Sequence, residues 1–578
     1  MASDTPNYPW LKNYPPGIDW FATLPQYPLW DILDRAAARY PRRVCMDFFD
    51  KHTSYEETAR LVDSAAAGLQ ALGVNKGDRV GLLLPNTPYF IIFYFAILKA
   101  GGVVVNLNPL YAERELERLI HDSGLKLAVT IDLKVIYEKV ARMLDKTPLE
   151  RLVVCSLCEA LPLHKGLLFK MFKRADLAFI PRDERHVPYD RLLHNHGEAK
   201  HVEIHPEDDI AVLQYTGGTT GIPKAAMLTH ANLVANVLQS RLWFSHAREG
   251  EEVVLSVLPF FHVFAMTVAM NLGVLIGATI VMVPKFELKQ LVALIHRKRP
   301  TLFPAVPTLY AAIANYRGLS DYDISSVRYC ISGGAGLPVE VKKAFEAVTG
   351  CVVAEGYGLT ESSPVATCNP LDGVNKAGSI GLPLPRTIIE IVSMEDHQTV
   401  LPVGQRGEIC IRGPQVMKAY WKNKEETDGV LRPLPEGGFR LHTGDAGTMD
   451  DEGYIYVVDR IKDMFLCGGY NVYPRVVEEA IMQHPDVMEC IVAGLPDPYR
   501  GQTVKAYLVM KAGKSLTRDQ LVEFLHDKLS PIEIPKQVEF RQSLPKTMIG
   551  KPSRKALLDE EMEKRAKTQS DGPSNSTT

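Results

Sequence analysis

Cysteine is scarce: nine thiols are spread over 578 residues, from Cys45 to Cys490. So odd and dispersed a set excludes a disulfide framework and points to reduced, buried thiols in a reducing compartment. The one CxxC, Cys155 to Cys158, lacks the second pair that a zinc site would need. An excess of either charge is equally absent. Lys plus Arg total 65 against 68 for Asp plus Glu, a net of −3, so no global positive field recruits nucleic acid and any anion must be held locally. The opening residues, MASDTPNYPWLKNYPPGIDW, show no basic segment followed by an apolar one, and a cytoplasmic chain without leader or anchor is expected. Uninterrupted apolar runs are also lacking. Residues 89–105 contain Lys99, and 263–283 contain Asn271. Both hold glycines followed by β-branched residues, which reads as buried helix, turn and buried strand rather than a membrane span. What remains is an ordinary soluble composition, 46% hydrophobic and 23% charged, long enough for several packed units.

Along the chain, helical and strand patterns alternate. Ser54-Tyr-Glu-Glu57 opens a helix in capping-box fashion, Arg79 to Leu84 is a strand, Tyr89 to Lys99 a helix, Val103 to Leu107 a strand and Glu113 to Ser123 a helix. Further strands are expected at 209–214, 253–258, 279–283, 302–306 and 329–332. This alternation predicts parallel α/β sheets. After Leu384 short alternating runs such as Ile388 to Val392, Gly407 to Arg412 and Tyr454 to Val458 predict a β-rich subdomain. Beyond Asp459, helices at 476–483 and 518–529 and strands at 487–494 and 502–510 predict a small α+β unit. The expected division is 1–458, a connecting 459–463, a C-terminal domain 464–564 and a disordered tail 565–578 rich in Ser, Asn, Thr and Pro.

The most informative segment is Tyr215-Thr-Gly-Gly-Thr-Thr-Gly-Ile-Pro-Lys224, which follows an apolar run. Gly217, Gly218 and Gly221 let backbone N–H groups approach a polyanion; Thr216, Thr219 and Thr220 add hydroxyl donors, and Lys224 supplies a compact positive charge. It reads as a phosphate loop. Walker A requires Gly-Lys-Ser/Thr at its end, whereas here the lysine follows proline, so the P-loop NTPase reading fails.

This segment resembles the signature of the adenylate-forming acyl-CoA synthetase superfamily. Glu355-Gly-Tyr-Gly-Leu-Thr-Glu361 resembles its nucleotide motif and His442-Thr-Gly-Asp445 its ribose motif. Asp459-Arg-Ile-Lys-Asp463 with Leu466-Cys-Gly-Gly-Tyr-Asn471 resembles its hinge and following loop, and Leu544-Pro-Lys-Thr-Met-Ile-Gly-Lys551 its last motif. The similarity runs from about Leu29 to Leu558. It implies a large N-terminal adenylation domain and a small mobile C-terminal domain, with ATP, Mg2+ and coenzyme A taking part.

Such an enzyme first couples a carboxylate to AMP with release of pyrophosphate, then transfers the acyl group to a thiol. Two anions must meet in the first step, and unit charges ~4 Å apart repel by about 4 kcal/mol at an effective dielectric near 20, so the site must supply cations and donors. The resemblance gives Lys551 the role of bridging acyl carboxylate and α-phosphate. It gives Tyr357 adenine stacking, Gly358 close backbone approach, Thr360 an α-phosphate contact and Glu361 magnesium. Glu355 and Gly356 belong to the same motif, and Gly333, Gly334 and Ala335 fit the glycine-rich adenine wall. Asp445 would take both ribose hydroxyls, and Arg460 would hold phosphate or ribose. Lys462 occupies the hinge position about which the C-terminal domain swings, and Gly468 and Gly469 would line a pantetheine channel. Taken singly, several of these have plainer readings: Tyr357 as a core tyrosine, Asp445 as a turn residue, Lys551 as a solvated tail lysine.

Pro259-Phe-Phe-His-Val-Phe264 resembles the segment beside the acyl site, with His262 near the substrate carboxylate; a satisfied core histidine is the alternative. No Arg or Lys occurs in 260–269 or 333–335, which favours a neutral, apolar acyl tail and hence a fatty acid of medium to long chain. A dicarboxylate or aryl acid, or delivery of the acyl group to a carrier protein, is the competing reading. His164 to Arg174 interleaves cations with Leu167, Leu168, Met171 and Phe172. Either the apolar stripe docks on the protein, or it lies on the inner face of an anionic membrane as a peripheral contact. Three departures from the family pattern stand out: Ala225 in place of the glycine after the loop lysine, Gly438-Phe-Arg-Leu-His442 in place of the common Gly-Trp-x-x-Thr spacing, and Pro552 after Lys551, which fixes the backbone beside the key amine.

Overall fold

The computed structural model describes residues 8–216, 223–467, 470–497, 501–546 and 553–570. They divide into two compact units, the first within Met1–Ile389, Cys410–His442 and Glu452–Tyr454, the second within Glu390–Ile409, Thr443–Asp451 and Ile455–Thr578.

Parallel sheets organise the first unit. Arg79–Leu82, Val103–Asn106, Leu127–Ile131 and Arg151–Cys155 pair in parallel, with Val103–Asn106 also running parallel to Ile210–Thr216. These strands are almost continuously apolar and buried, as Val103, Val104 and Val105 illustrate, because helices cover both faces of a parallel sheet. Ile210–Thr216 then turns back as the antiparallel Lys224–Thr229, in a register that sets Thr216 opposite Lys224. A second sheet runs Val253–Ser256, Thr279–Met282, Val44–Phe48 and Lys51–Ser54. In a third, Tyr329–Ser332 is parallel to Val352–Gly358, which pairs with Val365–Cys368. Mixed α/β architecture with parallel sheets is thus the observed class.

The local signals act as expected in most places. Ser54 caps the helix Tyr55–Ala71 by accepting from the Glu57 N–H at 3.2 Å. The apolar stretch 89–98 is buried within the helix Pro88–Lys99. Two expectations are corrected and a third is refined. Residues 302–306 form isolated bridges at Leu302 and Ala305 rather than a continuous strand. Ala265–Asn271, expected as buried helix with no hydrogen-bonding type specified, is buried and is a π-helix. Helix Arg554–Ser570 enters the segment expected to be a tail, because Arg565, Ala566 and Lys567 are good helix formers and the Ser/Asn-rich composition begins only after them. No helix among the described residues is long and apolar enough to cross a membrane.

In the second unit, Val487–Asp497 and Gly501–Met510 are antiparallel, and Gln537–Phe540 joins the latter in parallel. Both faces of this sheet are buried. Val492, Val504, Ala506 and Leu508 pack with Val477, Ile481, Leu521 and Leu525 of the helices Pro474–Met482 and Arg518–Leu525. Ile491, Ala493 and Tyr507, pointing the other way, pack with Leu544 and Leu557. This period-two division is what a sheet covered on both sides requires.

One buried histidine gives the first unit a pH dependence. His230 Nδ1 accepts from the Leu29 N–H at 3.0 Å, and burial pulls its pKa down to about 4. A histidine depressed in the fold costs nothing above its unfolded pKa of about 6.5 and destabilises progressively between there and about 4, because only the unfolded chain takes the proton readily. From pH 8 to pH 5 the loss is expected to be about 2 kcal/mol. Unfolding followed across that range should show a shallower decline by about this amount in His230→Gln; equal slopes would contradict the assignment.

Candidate functional site

The loop lysine sits in a defined cluster within the first unit. Lys224 begins the strand after the loop, forms an ion pair with Glu426 and lies 5.6 Å from the centre of the Tyr420 ring. The Tyr420 hydroxyl donates to Glu361 Oε1 at 2.5 Å, and the Glu361 carbonyl accepts from the Met417 N–H at 2.8 Å. Lys224 and Glu361, some 140 residues apart in sequence, are therefore joined through one tyrosine. Glu426 is positioned by the helix Lys424–Val430, where its N–H donates to the capping side chain of Asn423. Sequence reasoning missed Tyr420 and Glu426; the Asn-x-x-Glu spacing at 423–426 was the available signal for the latter.

Glu361 is buried on the one-turn helix Thr360–Ser362. A carboxylate has about four lone-pair positions, and Tyr420 uses one, so this group fits a divalent cation that keeps most of its water or phosphate ligands.

The other nucleotide-motif residues lie on neighbouring strand ends. Ser332 is opposite Glu355 in the parallel pair, and the buried Glu355 carboxylate accepts from the Leu337 N–H at 3.0 Å. Glu355 thus braces the turn carrying Gly333, Gly334 and Ala335. Gly333 faces the Phe264 ring, to which an added Cβ would come within 3.1 Å. Gly356, Tyr357 and Gly358 end the strand Val352–Gly358, with Tyr357 opposite Thr367. Gly358 is demanded by packing, since a Cβ there would lie 1.8 Å from the Pro364 carbonyl oxygen.

His262 is half-buried, and its Nδ1 accepts from the Phe264 N–H at 3.3 Å, which assigns the proton of the neutral ring to Nε2. Three amides hold its segment. Asn86 accepts from the Phe260 N–H and donates to the Leu258 carbonyl, each at 2.8 Å. Gln214 donates to the Phe261 carbonyl at 2.9 Å and accepts from Asn106 at 2.8 Å. These positioning residues were also missed, being single amides in apolar runs without a motif. Phe260, Phe264 and the whole of Ala265–Asn271 are buried.

In the second unit, Asp445 and Arg460 are cross-strand partners, and Arg460 Nε lies 2.9 Å from Asp445 Oδ1. The Asp445 N–H donates to Thr443 Oγ1, and the Gly444 N–H donates to Glu408, so the Thr-Gly-Asp segment within the strand Phe439–Met449 is fixed by its own hydroxyl and a buried acid. Lys462 lies in the turn after the strand Ile455–Arg460, where the Asp463 N–H donates to the Arg460 carbonyl. Burial pushes the Asp459 carboxyl up to about 6, although it accepts from the Arg460 and Arg475 N–H groups. Gly217, Gly218, Thr219, Thr220, Gly221, Gly468, Gly469, Lys551 and Pro552 lie outside the described residues.

A family model for AMP-binding enzymes matches residues 33–421, and one for the AMP-binding enzyme C-terminal domain matches 476–551. The chain belongs to the AMP-binding enzyme family. Among its curated relatives, a long-chain-fatty-acid–CoA ligase of Bacillus subtilis is 42% identical, with 96% of this chain and 98% of the relative covered. One of the same name from Escherichia coli O6:H1 is 37% identical over 95% and 98%. Among solved structures, ATP-bound MatB from Rhodopseudomonas palustris superposes with a TM-score of 0.81 at 28% identity, covering 93% of this chain and 99% of that one.

Proposed function

We propose that this chain activates a fatty acid of medium to long chain in two steps: carboxylate attack on the α-phosphate of ATP, giving acyl-AMP and pyrophosphate, then attack by the coenzyme A thiol, giving acyl-CoA and AMP. The observation that carries the reading is the 42% identity to the Bacillus subtilis ligase over nearly the full length of both chains. The buried aromatic and π-helical segment following His262 supports an aliphatic acid, because an acid with a second charge would need a counter-charge there.

The proposed roles follow from chemistry. Thr216 and Lys224, with the intervening Gly217, Gly218, Thr219, Thr220 and Gly221, hold the β- and γ-phosphates by N–H groups, hydroxyls and one amine. Lys224 exchanges Glu426 for phosphate when ATP binds. Gly333, Gly334, Ala335 and Tyr357 take the adenine, Thr360 the α-phosphate, and Asp445 with Arg460 the ribose. Glu361 holds magnesium, which when bound supplies positive charge to the triphosphate. His262 orients the acyl carboxylate. Lys551 neutralises the charge that builds up as carboxylate and phosphate join, Lys462 is the pivot between the half-reactions, and Gly468 and Gly469 admit the pantetheine arm. The proposed compartment is the cytoplasm, consistent with nine free cysteines.

Incubation with ATP, magnesium, coenzyme A and saturated acids of graded length, measuring pyrophosphate and thioester separately, tests the reading. Both products should appear and peak for medium to long chains. A peak for aryl or dicarboxylic acids, or pyrophosphate without thioester, would overturn it.

A further inference from the structure

Helix Leu163–Phe172 is mounted with its apolar face outward. Leu163, Leu167, Leu168, Met171 and Phe172 are 88, 64, 50, 71 and 75% exposed. At ~100° per residue these five fall within one half of the helix circumference. The inner face is set by Gly166, which is buried so close to the preceding helix that a Cβ would lie 2.4 Å from the Cys158 carbonyl oxygen. Any larger side chain there would lift the helix off, so the packing dictates which side faces out. Lys165 donates to the Phe49 carbonyl at 2.8 Å and pairs with Asp50 at 2.9 Å, tethering the helix beside a further exposed ring, Phe49. Past the turn Arg174–Asp176, Phe179 is 86% exposed.

Monomeric proteins rarely leave so many large apolar side chains together in water. The charge around them identifies the occupant. Lys170, Lys173 and Arg174 accompany the apolar face, Lys165 being paired with Asp50, and no acidic residue occurs from Leu163 to Ala175, although the chain as a whole is negative. A second copy docked by a two-fold axis would bring these cations against their own equivalents. Apolar side chains flanked by lysines instead match a bilayer with anionic headgroups.

We propose that helix Leu163–Phe172 is a membrane-docking element that sinks Leu163, Leu167, Leu168, Met171 and Phe172 into the headgroup–acyl boundary, with Lys170 and the following Lys173 at anionic phosphates. The proposal rests on exposure and charge and is independent of which acid is activated. Co-sedimentation of the full chain with vesicles tests it. The protein should partition onto phosphatidylcholine vesicles containing about a quarter phosphatidylglycerol, and at least about tenfold less onto phosphatidylcholine alone. Leu167→Ser with Phe172→Ser should lower partitioning onto the anionic vesicles about tenfold or more. Lys170→Gln with Lys173→Gln should lower it on anionic vesicles only. Circular dichroism melting should match the parent in both variants, since all four side chains are exposed. Failure of the parent to sediment with anionic vesicles, or variants that bind like the parent, would overturn the proposal. So would a parent dimer, seen by sedimentation velocity, that Leu167→Ser with Phe172→Ser dissolves without any vesicle binding.

Discussion

Lys551→Ala is expected to slow pyrophosphate release by about a hundredfold or more, while acyl-AMP and coenzyme A supplied directly are still converted to thioester. The asymmetry is the point. A positive charge facing two reacting anions acts in the transition state of adenylation, and a hundredfold loss corresponds to about 2.7 kcal/mol of that stabilisation. Thioester formation begins from a neutral acyl carbon and no longer brings a carboxylate against the triphosphate, so the repulsion assigned to Lys551 is absent from it. Lys462→Pro should show the opposite pattern, retaining pyrophosphate release and losing thioester, because a fixed φ stiffens the proposed pivot. Parent-like behaviour of both variants in both assays would remove these two roles.

Arg554→Ala is expected to destabilise the second unit by about 2 kcal/mol or more. The guanidinium is partly buried and each of its three nitrogens donates: Nε to the Val492 carbonyl at 2.6 Å, Nη1 to Asp463 and Nη2 to Glu478, both at 2.7 Å. Glu478 also accepts from the Val492 N–H at 2.7 Å, so the arginine ties helix Pro474–Met482 to strand Val487–Asp497 and to the turn beside Lys462. Removing one partner strands two acids and a carbonyl, which costs more than the pair is worth. Arg554→Lys should recover only part of the loss, since an ammonium cannot reproduce the planar fork. Urea unfolding of the three proteins checks this; an alanine variant within about 1 kcal/mol of the parent would show the network to be incidental.

Strands and helices with strong period and clear punctuation were legible in advance. Glu113–Ser123, Tyr329–Ser332, Ile388–Val392 and Gly407–Arg412 have the expected bounds. The π-helix was not, because an all-apolar run such as Ala265–Asn271 carries no period to distinguish α from π hydrogen bonding. At the site, glycine and threonine spacing reveals a phosphate loop, yet gives no hint that Lys224 is paired with Glu426 or joined to Glu361 by Tyr420. Those contacts bring together segments distant in sequence, and a charge pair between separate loops leaves no pattern. The outward face of Leu163–Phe172 was ambiguous for a related reason: an apolar stripe looks the same whether it meets protein or lipid, and the buried Gly166 decides.

The central claim is that an acyl-adenylate lies between the acid and its thioester. A fatty acid labelled with oxygen-18 in its carboxylate, incubated with ATP, magnesium and coenzyme A, tests this by mass spectrometry of the nucleotide product. Attack on the α-phosphate followed by thiolysis must leave one labelled oxygen in each AMP formed. Unlabelled AMP, or ADP with the label in inorganic phosphate, would contradict the account.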